Sequence, residues 1–120
     1  MSRPLLLAYD GCGTCKNARR WLAARGIDVD VRPIVASPPT LEELAVWIPA
    51  SGLSVRKWLN TSGQSYRALG KEAVAAMSDE ALRLALARDG KLVKRPVLVD
   101  GGRVVVGFRE EAYVAHYGAK

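Results

Sequence analysis

The chain has 120 residues, 49% of them hydrophobic and 25% charged, with a formal net charge of +6. That length suits one domain spanning residues 1–120, with a real core but no room for two, and the composition excludes a disordered chain. No apolar run approaches the ~20 residues a bilayer span needs. The opening "MSRPLLLAYDG" is too short for a secretory signal. A cytoplasmic location is expected, and a permanent structural disulfide is not. The basic residues are spread along the chain with few aromatics among them, so nucleic-acid binding is not expected. Nothing calls for more than a monomer or for a membrane partner.

Leu5–Tyr9 is a short apolar run closed by Asp10-Gly11, which predicts a buried strand and a turn. From Gly13 to Arg25 the apolar residues Ala18, Trp21 and Leu22 recur at helical spacing, and Gly26 ends the helix. Ile27–Ile34 alternates apolar and polar residues as a second strand. Strand, helix and strand in that order imply a parallel pair with a right-handed crossover. Thr40 with Glu43 forms a capping box for a helix that buries Leu41, Leu44, Ala45 and Ile48 and stops at Gly52. Ser54 caps a short helix to Leu59, and "NTSGQSYRALG" is loop-like. Ser78 starts another helix that ends at Asp89-Gly90. Pro96–Asp100, Gly101-Gly102 and Arg103–Val106 form a β-hairpin, and Arg109–Tyr117 is the closing helix. The order βαβ, several helices, then ββα is that of an α/β thioredoxin-like fold. It has a four-stranded mixed sheet and a helical insertion over about 40–90.

The chemistry is concentrated in "DGCGTCKNARRWL", which holds the only two cysteines, Cys12 and Cys15. Cys12 falls where a strand turns into a helix. Free backbone N–H groups and the positive helix end there favour a thiolate. Cys15 is one turn further in, and a Cys-x-x-Cys at a helix start is a redox signal. Zinc needs about four ligands, and only His116 and carboxylates remain to complete a set, so no metal is expected. A phosphatase-type Cys-x5-Arg loop is excluded, because Ala18 and Trp21 stand where its arginine belongs.

Three distant arginines complete the candidate site. Arg56 comes from "VRKWL", Arg95 from "KRPVLVD" and Arg109 from "GFREE". Together they could bind a tetrahedral oxyanion and hold Cys12 ionised. Pro96 is the candidate cis-proline of such a fold. Arg109 at the start of a helix opposes the helix dipole, which points to a role beyond stability. Trp21, Trp47 and Trp58 are read as packing residues, His116 as a surface or packing residue. Tyr66 and Arg67 lie in the loop-like stretch and are not assigned to the site.

Along nearly its whole length the chain resembles the arsenate reductase (ArsC) and Spx family. The resemblance rests on "CGTCKNARRWL", "PPTLEELAVWIPASGLSVRKWLN" and "LVKRPVLVDGGRVVVGFREE". It implies that Cys12 attacks arsenate, that Arg56, Arg95 and Arg109 bind the oxyanion, and that Gly13 and Thr14 offer backbone donors. Cys15 stands where the best-known glutaredoxin-coupled members have serine, so a Cys12–Cys15 disulfide becomes a possible intermediate. The implied reductant is thioredoxin, glutaredoxin or a glutathione-type thiol, with no tightly bound cofactor. Two other functions stay open: an Spx-like redox regulator that binds RNA polymerase, and a general thiol–disulfide oxidoreductase.

Overall fold

A computed structural model describes residues 3–118. Strand β1 (Leu5–Ala8) leads through a tight turn into helix α1 (Gly13–Ala24) and returns to strand β2 (Asp30–Pro33). Helices α2 (Leu41–Ser51), α3 (Gln64–Leu69), α4 (Lys71–Ala76) and α5 (Asp79–Arg88) follow, with 3-10 turns at Val55–Trp58 and Gly90–Leu92. Strands β3 (Val97–Asp100) and β4 (Arg103–Val106) and helix α6 (Glu110–Tyr117) complete the chain. The sheet order is β2-β1-β3-β4. β1 pairs parallel with β2 and antiparallel with β3, and β3 pairs antiparallel with β4. This is the thioredoxin-like α/β fold with a four-stranded mixed sheet.

Side chains alternate across a strand, and β1 uses this to serve two cores. Leu7 faces the large core built from α2, α5 and the segments between them, with Trp58 and Leu86 fully buried. Leu6 and Ala8 face the opposite core, where Ala18, Trp21 and Leu22 of α1 meet Tyr113 of α6. Burying whole leucines and tryptophans is worth about 1.5–3 kcal/mol each, so both helical layers are anchored on this one strand. Among the described residues no helix is long and apolar enough to cross a membrane.

Helix ends follow local chemistry. The Thr40–Glu43 capping box is formed, and Gly52 ends α2 in the left-handed conformation at φ 73°. Ser78 caps α5 by accepting from the Ala81 N–H. Gly90 is required by close approach: a Cβ there would lie 1.9 Å from the Ile34 carbonyl oxygen.

Three stretches differ from expectation. The second strand is half its expected length, since Ile27 and Val29 pack against the α1 core without joining the ladder. The "NTSGQSYRALG" stretch carries helix α3, with Tyr66 packed against the large core. Arg109 is the N-cap of α6 rather than its first residue.

Candidate active site

The turn after β1 is closed by a hydrogen bond from the Cys12 N–H to the Tyr9 carbonyl (3.0 Å). Cys12 then caps α1 with its own sulfur, Sγ accepting from the Cys15 N–H at 3.4 Å. No acidic residue lies in the first turn of α1, so nothing there cancels the positive helix end. Burial by itself would raise the Cys12 pKa. The Cys15 N–H, the Cys15 thiol, the Arg95 guanidinium and the Thr14 N–H outweigh it, and the pKa lies below the ordinary thiol value.

Cys15 is in the opposite situation. It is 1% exposed, among Ala18, Leu22 and Tyr113. Burial pushes its pKa up to about 12 against the opposing Tyr9 N–H, and the neighbouring Cys12 adds to the rise while Arg95 slightly offsets it. The two thiols are free, and only Cys12 opens to the surface.

Cys12 opens onto a cleft of about 640 Å³ whose lining includes Thr14, Lys57, Lys94, Arg95 and Arg109 and no acidic residue. A bridge between Leu59 and Val93 builds its far wall, tightened by hydrogen bonds from the Lys94 N–H to Trp58 O (2.7 Å) and the Asn60 N–H to Leu92 O (2.8 Å). This pairing sets Lys57 and Asn60 beside Lys94 and Arg95. Gly107 shapes the other side. It adopts φ 78°, and a Cβ there would come within 3.3 Å of the Lys94 side chain.

Arg95 stands at the centre. Its bond to Pro96 is cis, its Cζ lies 4.8 Å from the centroid of the Tyr9 ring, and its buried Nη1 has no hydrogen-bond partner among the described residues. A buried guanidinium nitrogen left without a partner is costly. Arg109 occupies the N-cap position of α6 without a side-chain cap hydrogen bond and lines the same cleft; Glu110 and Glu111 supply the negative charge at that helix start. His116 lies elsewhere, 2.8 Å from Asp100.

Arg56 is a correction to the expected site. It does not line the cleft: its guanidinium donates to the carbonyls of Val74 (3.3 Å) and Met77 (2.5 Å) at the C-terminal end of α4. In the 3-10 turn Val55 and Trp58 point inward, which sends Arg56 to one side and Lys57 to the other. The free carbonyls at a helix end attract the guanidinium. Gly13 is exposed beside the turn and does not line the cleft either. Sequence reasoning missed Lys57, Asn60 and Lys94. The available signal was their place beside the buried residues Trp58, Leu59 and Val93.

Comparison with known proteins agrees with this architecture. The ArsC family model matches residues 7–116. The chain belongs to the ArsC family. It is 46% identical over 107 residues to the uncharacterized protein YusI of Bacillus subtilis, covering 88% of this chain and 90% of YusI. It is 29% identical over 101 residues to the regulatory protein MgsR of the same organism, covering 84% of this chain and 79% of MgsR. Among solved structures, a putative ArsC family related protein from Bacteroides fragilis superposes with a TM-score of 0.89 at 43% identity, covering 95% of this chain and 98% of that one. A possible arsenate reductase from Streptococcus mutans gives 0.83 at 38% identity, covering 94% and 98%. This ArsC-family chain thus has regulators as well as a possible reductase among its relatives.

Proposed function

We propose that this chain is a thiol-dependent reductase of a small oxyanion, with arsenate the first substrate to test. One observation carries the reading: an activated Cys12 opens onto a cleft whose only charged lining residues are cations. Likeness to a possible arsenate reductase supports the choice of substrate.

In the proposed cycle Arg95 and Arg109, joined by Lys57 and Lys94, hold the oxyanion against the Cys12 sulfur. The thiolate attacks As(V), a sulfur–arsenic bond forms, and an arsenate oxygen leaves as water after taking up protons. A second thiol then attacks the Cys12 sulfur. A disulfide forms, the sulfur–arsenic electron pair stays on arsenic, and arsenite departs. Cys15 is the internal candidate for that second thiol, and its proton must be lost in the step. Thioredoxin, or glutaredoxin with a small thiol, then reduces the disulfide. The test is arsenate-dependent NADPH oxidation with each reducing system in parallel. Turnover lost in Cys12→Ser supports the reading, and turnover retained there ends it.

A general thiol–disulfide oxidoreductase is the second reading, for two reasons. Arg56 leaves the expected oxyanion triad incomplete. At about 30 Å³ per water, the cleft also has room for some twenty waters, far more than a five-atom oxyanion fills. A redox regulator is the third, supported by the likeness to MgsR; oxidation-dependent capture of RNA polymerase would favour it over both enzymatic readings.

A further inference from the structure

Helix α6 places a phenol in the small core that holds Cys15. Tyr113 is fully buried there, its ring in edge-to-face contact with Trp21 and Phe108 at centroid distances of 5.5 and 4.7 Å. A buried tyrosine hydroxyl ordinarily has a hydrogen-bond partner, yet this one has none among the described residues. Leaving it unpaired costs stability, so phenylalanine would serve the packing better. The groups that act on the Cys15 sulfur come from several sides. Cys12 stands at the start of α1, and the Tyr9 N–H reaches the sulfur at 3.5 Å from the end of β1. Arg95 stands ahead of β3, and Tyr113 interacts with the sulfur from α6. Burial and the nearby Cys15 both hold the Tyr113 proton above the ordinary phenol range, so the hydroxyl remains a donor when that sulfur ionises.

We propose that Tyr113 is a positioning residue for the second thiol step, its unpaired buried hydroxyl donating a hydrogen bond to the Cys15 thiolate as that thiolate forms. The bond is absent at rest, because Cys15 then keeps its proton and donates it to Cys12. This rests on Cys12 as the first nucleophile and Cys15 as the internal second thiol, but not on arsenate as substrate. In the step Cys15 gives its proton to solvent and its sulfur attacks the Cys12 sulfur. The Cys12–Cys15 bond forms, the bond from Cys12 to its adduct breaks, and the electron pair leaves on the adduct. The two cysteine sulfurs are oxidised and the departing group is reduced.

The reduced chain is mixed with one equivalent of the uncharged reagent 2,2′-dipyridyl disulfide, and pyridinethione release is followed in time. Attack by Cys12 releases the first pyridinethione, and attack by Cys15 on the mixed disulfide releases the second. In Tyr113→Phe the ratio of second-phase to first-phase rate should fall about three- to fourfold, a lost hydrogen bond to a charged group partly offset by a more basic thiolate. The dithiol–disulfide equilibrium constant against dithiothreitol should stay within about twofold, since the hydroxyl is unpaired at rest. The melting temperature should hold or rise for the same reason. An unchanged rate ratio overturns the proposal. So does a fall in melting temperature or a shifted equilibrium constant, either of which makes Tyr113 merely structural. A second release that is missing in the parent, or that persists in Cys15→Ser, removes Cys15 as the second thiol and the proposal with it. A missing first release instead overturns Cys12 as the nucleophile and the proposed function.

Discussion

Arg95→Ala tests the electrostatics of the site most directly. Arg95 brings a positive charge to Cys12, and its buried Nη1 has no competing partner among the described residues. A hydrogen bond to a charged group is worth about 1.5–3 kcal/mol net. Because Cys12 opens onto a solvent-filled cleft and Lys94 and Arg109 remain, the low end applies. About 1.4 kcal/mol is a tenfold change in an equilibrium constant, so the thiolate population below both titration midpoints should fall about tenfold. A more basic thiolate is a better nucleophile, with a Brønsted slope of about 0.4–0.5, which returns about threefold. The net expectation for iodoacetamide alkylation is a rate about three- to fourfold lower in the variant on the acid side. On the alkaline side, above both titration midpoints, where Cys12 is ionised in both proteins, the variant should be about threefold faster. The two pH profiles therefore cross. Cys15 does not confuse the reading, because its pKa of about 12 keeps it protonated over this range. Profiles that coincide, or that differ by one constant factor at every pH, would refute the argument.

Arg56→Ala should leave KM for arsenate within about twofold while lowering the urea-unfolding free energy by about 1 kcal/mol, through the lost bonds to Val74 and Met77. Arg109→Ala should raise the same KM several-fold, and equal effects of the two variants would return Arg56 to the site. Gly90→Ala should cost about 2–3 kcal/mol in denaturant unfolding, because its Cβ would overlap the Ile34 carbonyl and force the backbone apart; a loss under ~0.5 kcal/mol would contradict that contact. Cys15 keeps its proton in the folded chain up to about pH 12, whereas an unfolded thiol loses it near pH 9. Its stabilising contribution is therefore complete below pH 9 and drains away as pH rises towards 12. The melting temperature of the parent should fall more steeply between pH 9 and 10 than that of Cys15→Ala, and parallel curves would show that Cys15 is not held protonated.

Where local chemistry decides structure, the sequence was enough. The Thr40–Glu43 capping box, the left-handed Gly52 and the turn between β3 and β4 each depend on residues within four positions of one another. Short elements held by distant contacts were illegible. Helix α3 begins at Gln64 with no acidic residue and no side-chain cap, and Gly70 ends it after six residues. What fixes it is Tyr66 reaching the large core, which no window around "QSYRAL" reveals. The expected second strand failed for a related reason: Ile27 and Val29 are apolar because they cover α1, not because they lie in the ladder. At the site, the Cys12 turn and the Arg95–Pro96 step were readable as local patterns. The choice between Arg56 and Lys57 was not. Two adjacent cations on a 3-10 turn point to different neighbours, and only the end of α4, some twenty residues later, draws Arg56 away.

The division between the two cysteines follows from where one helix begins. Cys12 lies just before α1, where N–H groups are unpaired, and Cys15 lies one turn inside, where the helix has entered the core. The Cys15 thiol donates to Cys12, which lowers the pKa of one sulfur by the interaction that raises that of the other. Their protonation is thus a property of the pair. In the resting state the half-buried sulfur is the more readily ionised and the buried one holds the proton. Once Cys12 is bonded to substrate its charge is gone, and with it the part of the hold on the Cys15 proton that adds to burial. Attack by the second sulfur is therefore suppressed before the first bond forms and eased afterwards. This ordering follows from where α1 begins and does not depend on what the cleft holds.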